Sequence, residues 1–341
     1  MPYSIVLIEH AEMSINPLEQ PASSQQLFQL AQRQMLSPKA LDTALSRIGV
    51  IPGISTWQVF IEKLFLILGS VFIIVGVVFF FAYNWHELHH FAKFALLQIT
   101  LLSCVGLSLS WGLERLEGKI ALFMAAVLVG ILLAVYGQVY QTGADSFELF
   151  ATWVALITPW VLSAYFAPLW LLAIILLNLS IILYWQQVIA PIDSETVELF
   201  LVLFGLNGIT LLAWEWGFQR QLSWLRGIWF ARLLFVAALG SIMVPTVVAI
   251  ADNTWYSATQ FAGLGYVLTT IVALSYYSWI RIDLVLLTFT LGGILISLTT
   301  WIGHWLSLEQ GWNWLILAFA VIVQASLAAK GLQLLTHKQQ A

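Results

Sequence analysis

Residues 64–83 read LFLILGSVFIIVGVVFFFAY, twenty consecutive positions without a charged side chain. A bilayer core of about 30 Å is crossed by about 20 apolar residues in a helix, so this stretch alone is long enough to span. Working outward, the same criterion finds ten spans, at 64 to 83, 93 to 113, 119 to 137, 148 to 166, 168 to 189, 197 to 217, 228 to 250, 259 to 279, 283 to 303 and 312 to 330. The composition agrees, since 61% of the 341 residues are hydrophobic and 9% are charged. Soluble domains carry about 25% charged residues, so this chain could not cover a water-facing surface. The expected fold is an all-α polytopic transmembrane helix bundle with a short N-terminal cytoplasmic helical segment. Its boundaries are 1–60 for that segment, 61–331 for the transmembrane domain and 332–341 for a cytoplasmic tail.

Cytoplasmic loops retain Lys and Arg, so the basic residues set the facing. The tail and the even-numbered loops carry Arg33, Lys39, Arg47, Lys63, Arg115, Lys119, Arg220, Arg226, Arg281, Lys330 and Lys338, with Arg232 just inside the seventh span. The odd-numbered loops carry Lys93 alone. Both termini are therefore expected in the cytoplasm. The acids fall the other way: Glu87, Asp145, Glu148, Asp193, Glu195, Glu198, Asp252 and Glu309 lie on the expected outer face, which would favour cations over anions. No cleavable signal peptide is read at the start, because residues 1–20 contain Glu9, Glu12 and Glu19 and lack a basic, then apolar, order. The scattered basic residues exclude a nucleic-acid surface, and the single Cys104 excludes an intrachain disulfide.

Before the first span, Ser23 and Gln26 have capping-box spacing, and Leu27, Leu30 and Ala31 follow on one face. Ser37 is a cap for a second helix with Pro38 at its first position and a stop at Gly49. This hairpin is read as a lid or stalk, or as a docking module for another membrane protein. The bilayer is the one partner the composition itself requires.

Polar groups concentrate at one junction between spans. Tyr136, Gln138, Tyr140, Gln141, Thr142 and Asp145, with Gly137 and Gly143 among them, end the third span and begin the fourth. Glycines let backbone approach backbone or ligand, amides and phenols bond a solute, and Asp145 is positioned to cap the next helix or hold a cation. The bland alternative is a tight turn whose amides satisfy backbone groups near lipid. Asn84 and Trp85, which end the first span, belong to the same candidate site.

The run Phe81-Ala82-Tyr83-Asn84-Trp85, the lysine-started second helix, and Gly137 to Asp145 with Leu149-Phe150 and Trp153 resemble the bacterial membrane family called domain of unknown function 2157. The resemblance takes in the helical segment from about Gln25 and so covers the first half of the chain. It implies an integral protein of the bacterial cytoplasmic membrane and implies no activity.

His86-Glu87-Leu88-His89-His90 satisfies the H-E-x-x-H pattern. On a helix, His86 and His90 would share a face as zinc ligands, Glu87 would be the general base, and His304, Asp145 or Glu148 is a candidate third ligand. The bland reading is a set of interfacial polar residues, and no cofactor is expected unless zinc binds here. In the bilayer, Asn178, Asn207 and Gln324 are read as interhelical glue. Glu215 and Arg232, at the inner ends of consecutive spans, are expected to pair across their hairpin or to reach the headgroups. No acid or base is expected at the bilayer centre, which counts against a proton-coupled pump. The expected role is non-enzymatic: binding or passing a small solute or lipid at the outer face. The alternatives are an envelope scaffold or sensor, and a zinc-dependent hydrolase.

Overall fold

The computed structural model describes residues 24–84, 87–141, 143–189, 197–225, 227–306 and 311–340. The described residues are helical, without strands. They divide into two compact units, Met1–Val75 and Gly76–Ala341. The helices are α1 (Ser24–Gln32), α2 (Pro38–Arg47), α3 (Ile54–Tyr83), α4 (His90–Trp111), α5 (Leu116–Tyr140), α6 (Ser146–Ala164), α7 (Ala167–Tyr184), α8 (Val197–Gln219), α9 (Ile228–Asp252), α10 (Ser257–Ser275), α11 (Leu284–Trp305) and α12 (Gly311–Gln340). Ten of them, α3 to α12, are long and apolar enough to cross a membrane.

In the first unit, α1 and α2 pack together, with Leu27 and Leu45 buried. Ser37 caps α2 as its sequence suggests: its hydroxyl accepts the Ala40 N–H at 3.2 Å, and Pro38 takes the first helical position. Gly49 follows the helix at a φ of 77°, a left-handed conformation that costs glycine nothing.

In the second unit the helices form a sequence of antiparallel neighbours, α4 on α5, α6 on α7 and α8 on α9. Helices α5 and α9 are the most enclosed of the ten spans, with α9 packed on α8, α10 and α11. Lipid tails are as apolar as leucine, so association here rests on close packing and interhelical hydrogen bonds. Gly130 of α5 shows the first. The indole of Trp153 on α6 lies against it, where any Cβ would overlap the ring, and the indole N–H reaches the Ala126 carbonyl at 2.7 Å. The Asn178–Asn207 pair shows the second, each amide donating to the other's carbonyl oxygen at 3.2 and 2.7 Å between α7 and α8. Gln324 does the same for α12, accepting from the Thr299 hydroxyl at 3.3 Å. All three amides thus act as the interhelical glue expected of them.

The expected Glu215–Arg232 pair is replaced by two others. Arg281, in the link between α10 and α11, places Nη1 at 2.6 and 2.5 Å from the two Glu215 carboxylate oxygens. Arg232 forms a two-pronged pair with Asp283 of the same link, at 3.1 and 3.2 Å. Asp283 also caps α11 by accepting the Val285 and Leu286 N–H groups. Pairing across a hairpin is the local choice, but a π-helical turn at Tyr276–Ile280 swings the α10–α11 link under both α8 and α9. That link supplies one charge to each helix, so α8, α9, α10 and α11 are tied at one end.

Removing one member of a buried pair leaves an uncompensated charge, at a cost of about 3–5 kcal/mol. A double-mutant cycle on unfolding free energy is expected to show coupling above about 1 kcal/mol between Glu215→Ala and Arg281→Ala. Glu215→Ala and Arg232→Ala are expected to add within about 0.5 kcal/mol, since they share no partner.

Candidate polar cleft at the α5–α6 junction

Helix α5 ends at Tyr140, and Gln141 turns the chain in the left-handed conformation at φ 44° and ψ 50°. Gly143 follows at φ 64°. Two residues of positive φ so close together reverse the backbone, and α6 starts with Asp145 at its N-cap position. The Asp145 carboxylate makes no capping hydrogen bond, so its capping role is absent and the side chain is left exposed at the junction. The first turn of α6 is instead held from α7 and from the π-helical turn Trp185–Ile189 that follows it. The Phe147 N–H donates to Gln187 Oε1 at 3.4 Å, and the Ser180 hydroxyl donates to the Phe147 carbonyl at 3.2 Å. Ser180 and Gln187 lie more than 30 positions away in the chain, and nothing in their local sequence marks them as supports of this turn.

The reversal leaves a cleft of about 740 Å³, within the 300–1,000 Å³ common for small-molecule sites. Tyr136, Gln138, Gln141, Asp145, Ser146, Glu148 and Thr152 supply its polar lining, beside apolar residues that include Phe150. Its geometry therefore offers a phenol, two amides, two aliphatic hydroxyls and two carboxylates around one opening. Glu148 is one the sequence reading left outside the site. Tyr140 turns elsewhere, stacking on Phe94 of α4 with ring centroids 5.8 Å apart. Asn84 closes α3 by donating to the Phe80 carbonyl at 2.9 Å and does not line the cleft. Trp85 and Thr142 lie outside the described residues.

In the histidine pattern, the described residues Glu87 to His89 precede α4. Glu87 and Leu88 precede α4, His89 is its N-cap and His90 its first residue, so one helix does not carry the i and i+4 positions that the zinc motif requires. His86 lies outside the described residues. His304 places Nδ1 3.1 Å from the Ala251 carbonyl. Among the described residues, no three His, Cys, Asp or Glu side chains gather as a metal site.

Residues 28–170 match the family model described as Predicted membrane protein (DUF2157). The match runs from α1 through the cleft into the start of α7, the part of the chain whose residues resemble that family. No curated protein and no solved structure matches the chain.

A branched side chain in the left-handed region costs about 1–2 kcal/mol. Gly143→Val is therefore expected to lower thermal stability in detergent, while Gln141→Gly leaves it equal or slightly higher. Purified protein is expected to carry no stoichiometric zinc by elemental analysis, and a His86→Ala, His90→Ala double variant is expected to be indistinguishable from it.

Proposed function

We propose that this membrane protein, whose residues 28–170 match the DUF2157 family model, is a non-enzymatic binding protein for a small polar or cationic solute. The single observation that carries the reading is the α5–α6 cleft with Asp145 and Glu148 exposed in its lining beside Gln138 and Gln141. Two carboxylates with no basic residue in the lining favour a cation, and the amides and Tyr136 supply the directional hydrogen bonds that distinguish one solute from another. Binding fits better than passage. A carrier needs the midplane amides in the solute path, whereas Asn178 and Asn207 are spent on each other and line neither this cleft nor the smaller, more apolar cavity between α8 and α10.

The Lys and Arg distribution supports a location in the bacterial cytoplasmic membrane with both termini inside, and the family resemblance agrees with it. The cleft then opens to the outer face. A scaffold or sensor for an envelope complex is the second reading, favoured by α12, none of whose spanning window is buried.

A solute at about 100 times its Kd stabilises a protein by about 2.7 kcal/mol. Thermal unfolding in nanodiscs with putrescine, choline, tetramethylammonium or glycerol is expected to show a raised midpoint for at least one organic cation. The shift is expected to vanish in Asp145→Asn, Glu148→Gln and to persist in His89→Ala. If none of the four probes raises the midpoint, the solute reading fails and the scaffold reading stands.

A further inference from the structure

A second cavity, of about 540 Å³, lies in the other half of the bundle, between α8, α9 and α10. Helices α8 and α10 both pack along α9 but touch each other far less, and the gap between them is the opening. Its rim consists of side chains exposed at the helix surface, Leu212 and Trp216 on α8 and Leu268 and Val272 on α10. Its back wall is buried, with Phe235 and Ala238 on α9 and Ala273 on α10. In a bilayer such an opening faces acyl chains and not water.

The cavity is polar at one end only. Glu215, Gln219, Tyr276 and Tyr277 line it where α8 and α10 finish, and the rest, up to Gly208 and Phe204, is apolar apart from Thr269. The polar end carries no net charge to offer. The Glu215 carboxylate accepts from Arg281, from Tyr276 at 3.3 Å and from Tyr277 at 3.4 Å, so both its charge and its acceptor positions are taken. Gln219 Nε2 donates to the Tyr276 hydroxyl at 3.1 Å. The next pair along, Arg232 with Asp283, is likewise balanced.

One cation at this mouth has no carboxylate partner among the described residues. Arg220 follows α8 directly, and its guanidinium carbon sits 4.1 Å from the centroid of the Trp216 ring, itself a wall of the cavity. Stacking on an indole orients a guanidinium without using its N–H donors, which stay available for the two-pronged bonds that phosphate accepts.

We propose that this cavity is a lateral binding site for an anionic phospholipid of the surrounding bilayer. One acyl chain lies between α8 and α10 from Trp216 toward Gly208, the phosphate pairs with Arg220, and headgroup hydroxyls meet Gln219 and Tyr276. The polar end and the apolar body run in the order a lipid presents them, and the matched floor leaves Arg220 as the charge that selects the headgroup. This site is independent of the α5–α6 cleft and stands or falls separately.

The test is native mass spectrometry of the full chain released from nanodiscs, comparing phosphatidylglycerol with phosphatidylcholine. Wild type is expected to retain phosphatidylglycerol at least about tenfold better, one molecule saturating first. Arg220→Gln is expected to abolish that preference and Arg220→Lys to keep part of it, since a point charge still attracts phosphate. Gly208→Phe fills the apolar end from a position where an added Cβ meets no atom within 4 Å, and is expected to lose the bound lipid while keeping the wild-type helical circular dichroism. Lys330→Gln, a charge removed elsewhere, is expected to change nothing. Equal retention of the two lipids, or undiminished phosphatidylglycerol binding in Gly208→Phe, overturns the proposal. Displacement of the lipid by millimolar inorganic phosphate would also overturn it, because the site would then be one for the anion alone.

Discussion

Polar groups buried in a bilayer must find partners within the protein, and the Glu215–Arg281 pair is where this chain meets that demand most heavily. Each ion carries a desolvation cost of several kcal/mol, repaid only if geometry and further hydrogen bonds are favourable. Here two tyrosine hydroxyls complete the carboxylate, and the guanidinium rests over the Phe218 ring at 4.0 Å. The arrangement requires the α10–α11 link to reach under α8. The π-helical turn at Tyr276–Ile280 provides that reach by widening the last turn of α10, so that the Arg281 N–H bonds back to Tyr276 and the Asp283 N–H to Tyr277.

The consequences extend along the bundle. With α8 and α9 anchored at one end by Glu215 and Arg232, the Asn178–Asn207 pair fixes α7 against α8 nearer the middle. The amide pair holds α8 toward α7, Glu215 ties the end of α8 to the α10–α11 link, and the lateral gap to α10 lies along the stretch of α8 between them. At the α5–α6 junction the constraint is of a different kind. Trp153 presses on Gly130, setting how closely α5 and α6 approach, while the left-handed turn at Gln141 and Gly143 sets where the chain reverses. Close packing below and a wide reversal above leave a cleft with exposed acids at its lip.

Several side chains changed partner between their local expectation and their tertiary setting, and each did so for a reason of distance in sequence. Asp145 sits at an N-cap position yet its side chain caps nothing, and Gln187, from the π-helical turn after α7, takes the Phe147 N–H instead. Arg232 was within reach of Glu215 by hairpin logic, but Asp283, 51 positions on, claimed it. The histidine run matched a zinc pattern by residue type, and α4 begins only at His90, so Glu87 to His89 precede the helix on which the pattern was read.

What the sequence determined by itself was whatever depends on counting. Twenty uncharged residues are long enough to span, so the number of spanning helices could be read directly, as could the Ser37 cap and Pro38 start of α2, which involve only neighbours in the chain. Part of the candidate cleft was legible too, since Tyr136, Gln138, Gln141 and Asp145 lie within ten positions and one turn gathers them. Tertiary structure alone decided what meets across helices. In a bilayer every span is apolar on most faces, so periodicity does not say which face is lipid-facing and which is packed. Only the fold could bring Arg281 beneath Glu215, place Trp153 on Gly130, and open a cavity between two helices separated in the chain by a third.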